Sequence, residues 1–135
     1  MADAPVPPRE SGMQALVVDD SRAMRAILTR LMTGLGFEVS QAGDGAQALA
    51  VLAAGLRPDV VLVDWNMPVM DGLTFVRTVR SRQELRDIPL MMVTTESEQG
   101  QIVRALAAGA HEYVIKPFSD EVIAGKLALL GLVSS

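Results

Sequence analysis

Three aspartates, a threonine and a lysine, each placed where an apolar run ends, are the residues of this chain best fitted to do chemistry. Asp19 and Asp20 follow "ALVV", Asp64 follows "VVLV", Thr94 closes "PLMMV", and Lys116 follows "EYVI". Burying a carboxylate is costly unless it is paired or bound to a cation. Carboxylates gathered at one place repel, and an oxygen-loving divalent cation relieves that. Mg2+ takes near-octahedral oxygen coordination and keeps several waters, so two or three protein oxygens suffice. Asp20 and Asp64 would ligate through their side chains, Asn66 through its backbone carbonyl, and Asp19 directly or through water. Beside such a cation, the Asp64 carboxylate is a nucleophile suited to phosphorus, and phosphoryl transfer is the economical reading. Lys116 would neutralise the phosphoryl oxygens and Thr94 would donate a hydrogen bond to them. Lysines number only two, Lys116 and Lys126, and a compact ammonium suits a point contact to phosphate.

These residues can meet only if the elements before them lie side by side, and the chain alternates two periods in the way this needs. The β-branched run at 15–19 precedes a stripe of Met24, Ile27, Leu28, Leu31 and Met32 at helical spacing. Ser21 is placed to cap that helix, and Gly34 or Gly36 to end it. Strand-like runs at 37–42, 59–64, 88–95 and 112–116 alternate with helical stretches at 45–55, 72–81, 99–110 and 119–133. The last helix starts at Ser119, with Asp120 and Glu121 in its first turn. Five strand-then-helix units with apolar strands predict an α/β fold: one parallel sheet covered on both faces. In such a sheet, ligands bind beyond the carboxyl ends of the strands. Asp19, Asp20, Asp64, Thr94 and Lys116 all sit at those ends.

Half of the 135 residues are hydrophobic, 21% are charged and the net charge is −4, the composition of one ordinary globular domain. No basic stripe marks a nucleic-acid or membrane surface. With no cysteine, disulfides and thiolate metal sites are excluded. No apolar run is long enough for a spanning helix. "MADAPVPPRESG" lacks a signal-peptide core and reads as a flexible Pro-rich arm over residues 1–12, with the domain at 13–133 and a cytoplasmic location expected. "GLG" and "GDG" are turns, not nucleotide-binding fingerprints.

"VVDDS" at 17–21, "DWNMPVMDG" at 64–72, "MVTTES" at 92–97 and "EYVIKPF" at 112–118 together resemble a response-regulator receiver domain of the stand-alone chemotaxis type. The resemblance implies a flavodoxin-like, doubly wound sheet of strand order 2-1-3-4-5, an order the pattern itself does not supply. It implies that Asp64 is the phosphoacceptor and that Asp19 and Asp20 are the acidic pair for Mg2+. Thr94 becomes the switch hydroxyl, Tyr113 the switch aromatic, Lys116 the phosphate-facing lysine, and Lys116–Pro117 a cis peptide. Trp65 and Asn66 agree with the chemotaxis subtype. So does Glu96, at a position that influences phosphoryl hydrolysis. Ser21 and Arg22 depart from the best-known members, which carry an aromatic and then a small polar residue there.

The resemblance implies a signalling switch rather than an enzyme with a small-molecule substrate. A sensor histidine kinase would be the phosphodonor. A separate output protein, with the flagellar motor switch favoured, would read a face of the fourth helix, fifth strand and last helix. A phosphorelay intermediate or kinase adaptor is the alternative role. A haloacid-dehalogenase-like phosphatase fits less well, since Asn66 stands where that chemistry needs a second aspartate. A phosphorylation-independent scaffold would not need the rim residues. Simpler readings remain beside these. Asp19 and Asp20 could only cap the first helix, and Tyr113 could only pack. His111, the sole histidine, is expected to be solvated and without a catalytic or metal role. From Val122 onward Lys126 is the last helix's only charge, so that helix is predicted to need covering. A monomer is expected, with dimerisation through that helix as the alternative.

Overall fold

In the computed structural model, which describes residues 13–133, the alternation of periods becomes five strands and five helices. They are β1 (Met13–Val18), α1 (Arg22–Gly34), β2 (Phe37–Ala42), α2 (Gly45–Ala53), β3 (Val60–Val63), α3 (Gly72–Ser81), β4 (Leu90–Thr94), α4 (Gln99–Ala108), β5 (Glu112–Ile115) and α5 (Asp120–Leu129). The expected Pro-rich arm at 1–12 lies outside the described residues, as do residues 134 and 135.

All neighbouring strands pair in parallel, in the order β2-β1-β3-β4-β5, as the resemblance implies. Side chains alternate across a strand, so each central strand serves two cores. Leu16, Val18, Val61, Val63, Leu90 and Met92 face Leu52, Phe75, Val79 and Ala105 of α2, α3 and α4. Ala15, Val17, Val60, Leu62, Met91 and Val93 face Leu28 and Met32 of α1 and Ile123 and Leu127 of α5. This double burial explains why β3 reads as an unbroken apolar run. All strands point the same way, and the winding of the connections reverses between β1 and β3, where the rim opens.

Local chemistry sets the helix ends. The side chains of Ser21, Asp44, Asp71 and Ser119 each accept a hydrogen bond from the backbone N–H three residues on. The last helix is shorter than expected. Gly131 has φ 77°, its N–H donates to Ala128 and the Leu132 N–H donates back to Leu127, 2.9 Å each, which is a Schellman stop. Leu130, Leu132 and Val133 then turn against the α1–α5 core. Much of the cover that the apolar helix required is thus supplied from within, although Val122 and Leu129 remain exposed. The strands are also trimmed: β3 starts at Val60, and Asp59 before it is tied to Gln14 of β1, its N–H donating to the Gln14 carbonyl at 2.7 Å and its carboxylate accepting from the Gln14 N–H at 2.8 Å.

Candidate functional site

β1 delivers Asp19 to the rim, and its neighbours fix it there. Its N–H donates to Ala42 of β2 at 3.1 Å, and Arg25 Nη1 donates to its carbonyl at 2.6 Å. Its Oδ1 accepts from the Ser21 N–H at 2.8 Å, while Oδ2 lies 2.9 Å from Lys116 Nζ. Asp20, next in the chain, is exposed. Ser21 caps α1, so the helix-capping explanation of Asp20 does not hold.

β3 delivers Asp64. Its N–H donates to Val18 at 3.0 Å, its Oδ1 accepts from the Trp65 N–H at 2.7 Å, and its Oδ2 is 3.5 Å from Lys116 Nζ. Carboxylate oxygens of Asp19, Asp20 and Asp64 all lie within 4.8 Å of one another. One ammonium therefore stands against three carboxylates. Burial pushes the Asp64 carboxyl above its ordinary value. The Thr94 hydroxyl, the Lys116 charge and the Trp65 N–H pull it back, while Asp19 adds to the rise. A hard, oxygen-coordinated cation fits this donor set, because it supplies the positive charge that the protein leaves out.

Thr94 ends β4 fully buried, its hydroxyl near enough to Asp64 to favour the ionised carboxylate, and its Oγ1 accepts from the Glu96 N–H at 3.4 Å. The Tyr113 ring packs in the core and its hydroxyl donates to the Glu96 carbonyl at 2.7 Å. Burial first, then the charges of Glu96 and Asp64, push that phenol up to about 12. The Asn66 side chain donates to Glu96 Oε2 at 3.0 Å. Glu96 thus joins the acceptor loop, the end of β4 and the ring on β5. Lys116–Pro117 is cis, as the resemblance implies.

Several residues that shape the rim escaped the sequence reading. Gly72 donates to the Trp65 carbonyl at 2.8 Å, and any side chain there would collide with the Asp64–Trp65 peptide. The "DG" at 71–72 was the available signal. Arg104 of α4 lies 5.8 Å from the Trp65 ring centroid, a cation–π contact between sequence-distant residues that no local pattern announces. Val69 has φ 70°, and the Met70 N–H donates to the Pro68 carbonyl at 2.7 Å. This is a γ-turn around a β-branched residue, a strained arrangement. At the opposite end of the strands His111 is exposed, as expected, and its Nδ1 also receives hydrogen bonds from Leu90 and Arg80. Its position between two strand starts was invisible without the fold.

A profile of the response regulator receiver domain matches residues 15–128. The chemotaxis protein CheY1 of Helicobacter pylori is 41% identical over 119 residues, covering 87% of this chain and 96% of that protein. The chemotaxis protein CheY of Pseudomonas aeruginosa is 41% identical over 116 residues, covering 85% and 93%. Among solved structures, CheY4 of Vibrio cholerae superposes with a TM-score of 0.81 at 36% identity, covering 88% and 98%. The receiver domain of a Pseudomonas aeruginosa sensor histidine kinase, which has a magnesium ion coordinated in its active site cleft, gives a TM-score of 0.78 at 30% identity, covering 89% and 98%. Among the described residues no helix is long and apolar enough to cross a membrane.

Proposed function

The chain belongs to the response-regulator receiver family and is a phosphorelay response regulator, and from that premise we propose that Asp64 is its phosphoacceptor and Asp19, Asp20, Asp64 and the Asn66 carbonyl its Mg2+ ligands. The observation that carries this reading is the charge imbalance at the rim: three carboxylates within 4.8 Å share the one ammonium of Lys116. When bound, Mg2+ supplies charge that stabilises phosphoryl oxygens and removes the mutual repulsion of the carboxylates.

The chain's own residues do the rest. A carboxylate oxygen of Asp64 attacks phosphorus on a phosphohistidine of a sensor kinase. The P–N bond breaks and the imidazole departs with the electron pair, taking up a proton. Lys116, held by Asp19, meets an equatorial phosphoryl oxygen, and the Thr94 hydroxyl donates to another. Water later attacks the same phosphorus, the P–O bond to Asp64 breaks, inorganic phosphate leaves and the carboxylate is restored; Glu96 and Asn66, hydrogen-bonded to each other, would line the water's approach. The protein thereby assists its own phosphorylation and dephosphorylation while acting as a switch and not as a metabolic enzyme.

Thr94 beside Asp64 and Tyr113 buried against Glu96 constitute the tightened member of a two-state equilibrium. Phosphoryl contacts exist in that member alone, and about 5.5 kcal/mol of differential contact moves a population from 1:99 to 99:1. The output protein reads the face where Val103, Leu106, Ile115, Val122 and Leu129 are exposed; the flagellar motor switch is the favoured reader, in a cytoplasmic setting. Trp65, adjacent to Asp64, reports the test. Beryllofluoride with Mg2+ should change its fluorescence in wild type, and Asp64→Asn should abolish the change. Thr94→Ala should still accept the phosphoryl group from acetyl phosphate but lose the accompanying shift of Tyr113. A full response in Asp64→Asn would reassign the acceptor.

A further inference from the structure

We propose that His111 and Arg80 form an acid-sensitive latch at the amino-terminal edge of the sheet, closed while His111 is neutral and opened when its Nδ1 takes a proton. The latch is independent of the acceptor reading, since it lies at the opposite end of the strands.

Arg80, near the end of α3, reaches across three segments. Its Nε donates to the Gly109 carbonyl at 2.9 Å, and Nη1 donates to the carbonyls of Arg86 at 2.8 Å and Ile88 at 2.9 Å. Its Nη2 lies 3.0 Å from His111 Nδ1. The Leu90 N–H points at the same nitrogen, 3.2 Å away, and the His111 N–H returns a bond to the Leu90 carbonyl at 2.8 Å. A guanidinium and a backbone amide are donors only. Nδ1 must therefore present its lone pair, and the ring is the neutral tautomer protonated at Nε2. A proton on Nδ1 would face both donors, break both bonds and set two cations side by side.

The charged neighbours act in opposite directions. The residue is exposed as a whole, yet partial desolvation of the ring and the Arg80 charge hold the imidazole below its ordinary value of 6.5, while Glu112, the next residue, on β5, works the other way. Glu112 is itself engaged by Lys126 of α5 at 3.2 Å, and Asp87 faces Arg80. A depressed folded pKa means the unfolded chain binds the proton more readily. The latch's contribution is then complete above the unfolded value and disappears as pH falls through the folded one. The latch fastens the end of α3, the last turn of α4 and the starts of β4 and β5. Its opening loosens the strand that carries Tyr113 two residues further on. Gly109 leaves no slack, because a Cβ there would lie 2.5 Å from Arg80 Cγ.

The chain has a single histidine, so proton NMR of the full-length protein follows one imidazole. It should titrate with an inflection below 6.5, and the Leu90 amide should exchange faster in step with it. His111→Asn offers an acceptor oxygen near the Nδ1 position but cannot titrate. Between about pH 7.5 and 5.5 the wild-type thermal midpoint should fall relative to that variant by about 3–6 °C. An imidazole titrating at or above 6.5, or wild-type and variant midpoints running parallel with pH, overturns the latch. The wild-type titration decides the matter even if the variant folds poorly.

Discussion

The two ends of the sheet carry charge in opposite ways. At the carboxyl ends of the strands, Asp19, Asp20 and Asp64 crowd around Lys116. At the amino ends, the guanidinium of Arg80 is surrounded by three carbonyls and an imidazole. The second cluster is balanced, donor against acceptor, and does structural service. The first has more negative charge than the protein itself neutralises, and it also carries the strained turn at Val69. Imbalance and strain mark the end that awaits a ligand; saturation marks the end that holds the fold together.

Removing the guanidinium tests the balanced end and should have the largest effect. Arg80→Ala strands three carbonyls and is expected to lower unfolding free energy by about 2–3 kcal/mol in urea titrations. A loss below about 0.5 kcal/mol would mean that water replaces the side chain and that the edge is no staple. At the rim the same kind of truncation should act in the other direction. Without Mg2+, Asp20→Ala should raise the thermal midpoint, since it removes a repelling charge and no helix cap. With Mg2+ at ten times its Kd, wild type should gain about 1.4 kcal/mol, a gain the variant should lack. Equal gains in both proteins would take Asp20 out of the metal site. Val69→Asn, which relieves a left-handed β-branched residue, should stabilise by about 1 kcal/mol; a destabilised variant would show that the γ-turn is held by contacts of the valine itself.

The pH dependence gives the smallest and most discriminating contrast. Asp64 has its folded pKa raised above 3.8 by burial. In the metal-free protein its contribution is therefore present below 3.8 and is lost as pH rises through the folded value. Metal-free Asp64→Asn should gain on wild type as pH rises from about 4 to 7 and show no advantage near about pH 3.5, as read from thermal midpoints. Mg2+ should erase that advantage, because it demands the ionised carboxylate. A constant difference across the range would place the effect in packing. At the other end the wild-type protein loses stability as pH falls, so the two clusters can be told apart by sign alone.

How much of this was legible in the sequence follows from what each feature depends on. The alternation of elements, the parallel sheet and the rim residues are local patterns, since "VVLV" before Asp64 and "EYVI" before Lys116 announce buried strands directly. The strand order came only with the resemblance, because hydrophobic periodicity says nothing about which strands are neighbours. The overlong last helix reflects a local conflict. The apolar pattern runs through Gly131, and only the left-handed backbone there shows the chain turning back. The role of Glu96 as a junction, the Arg104–Trp65 contact and the setting of His111 join residues about 15 to 40 positions apart. Such contacts are properties of the folded packing and leave no spacing to read.

The central claim is that a cation-dependent rim makes the carboxylate at 64 an acceptor of phosphorus. Incubation with acetyl phosphate, with and without Mg2+, followed by mass mapping of the peptides after trapping of the acyl phosphate, addresses it most directly. The account predicts phosphoryl mass on the peptide containing Asp64, and only when Mg2+ is present. Modification at another residue, or equal modification in EDTA, would contradict it.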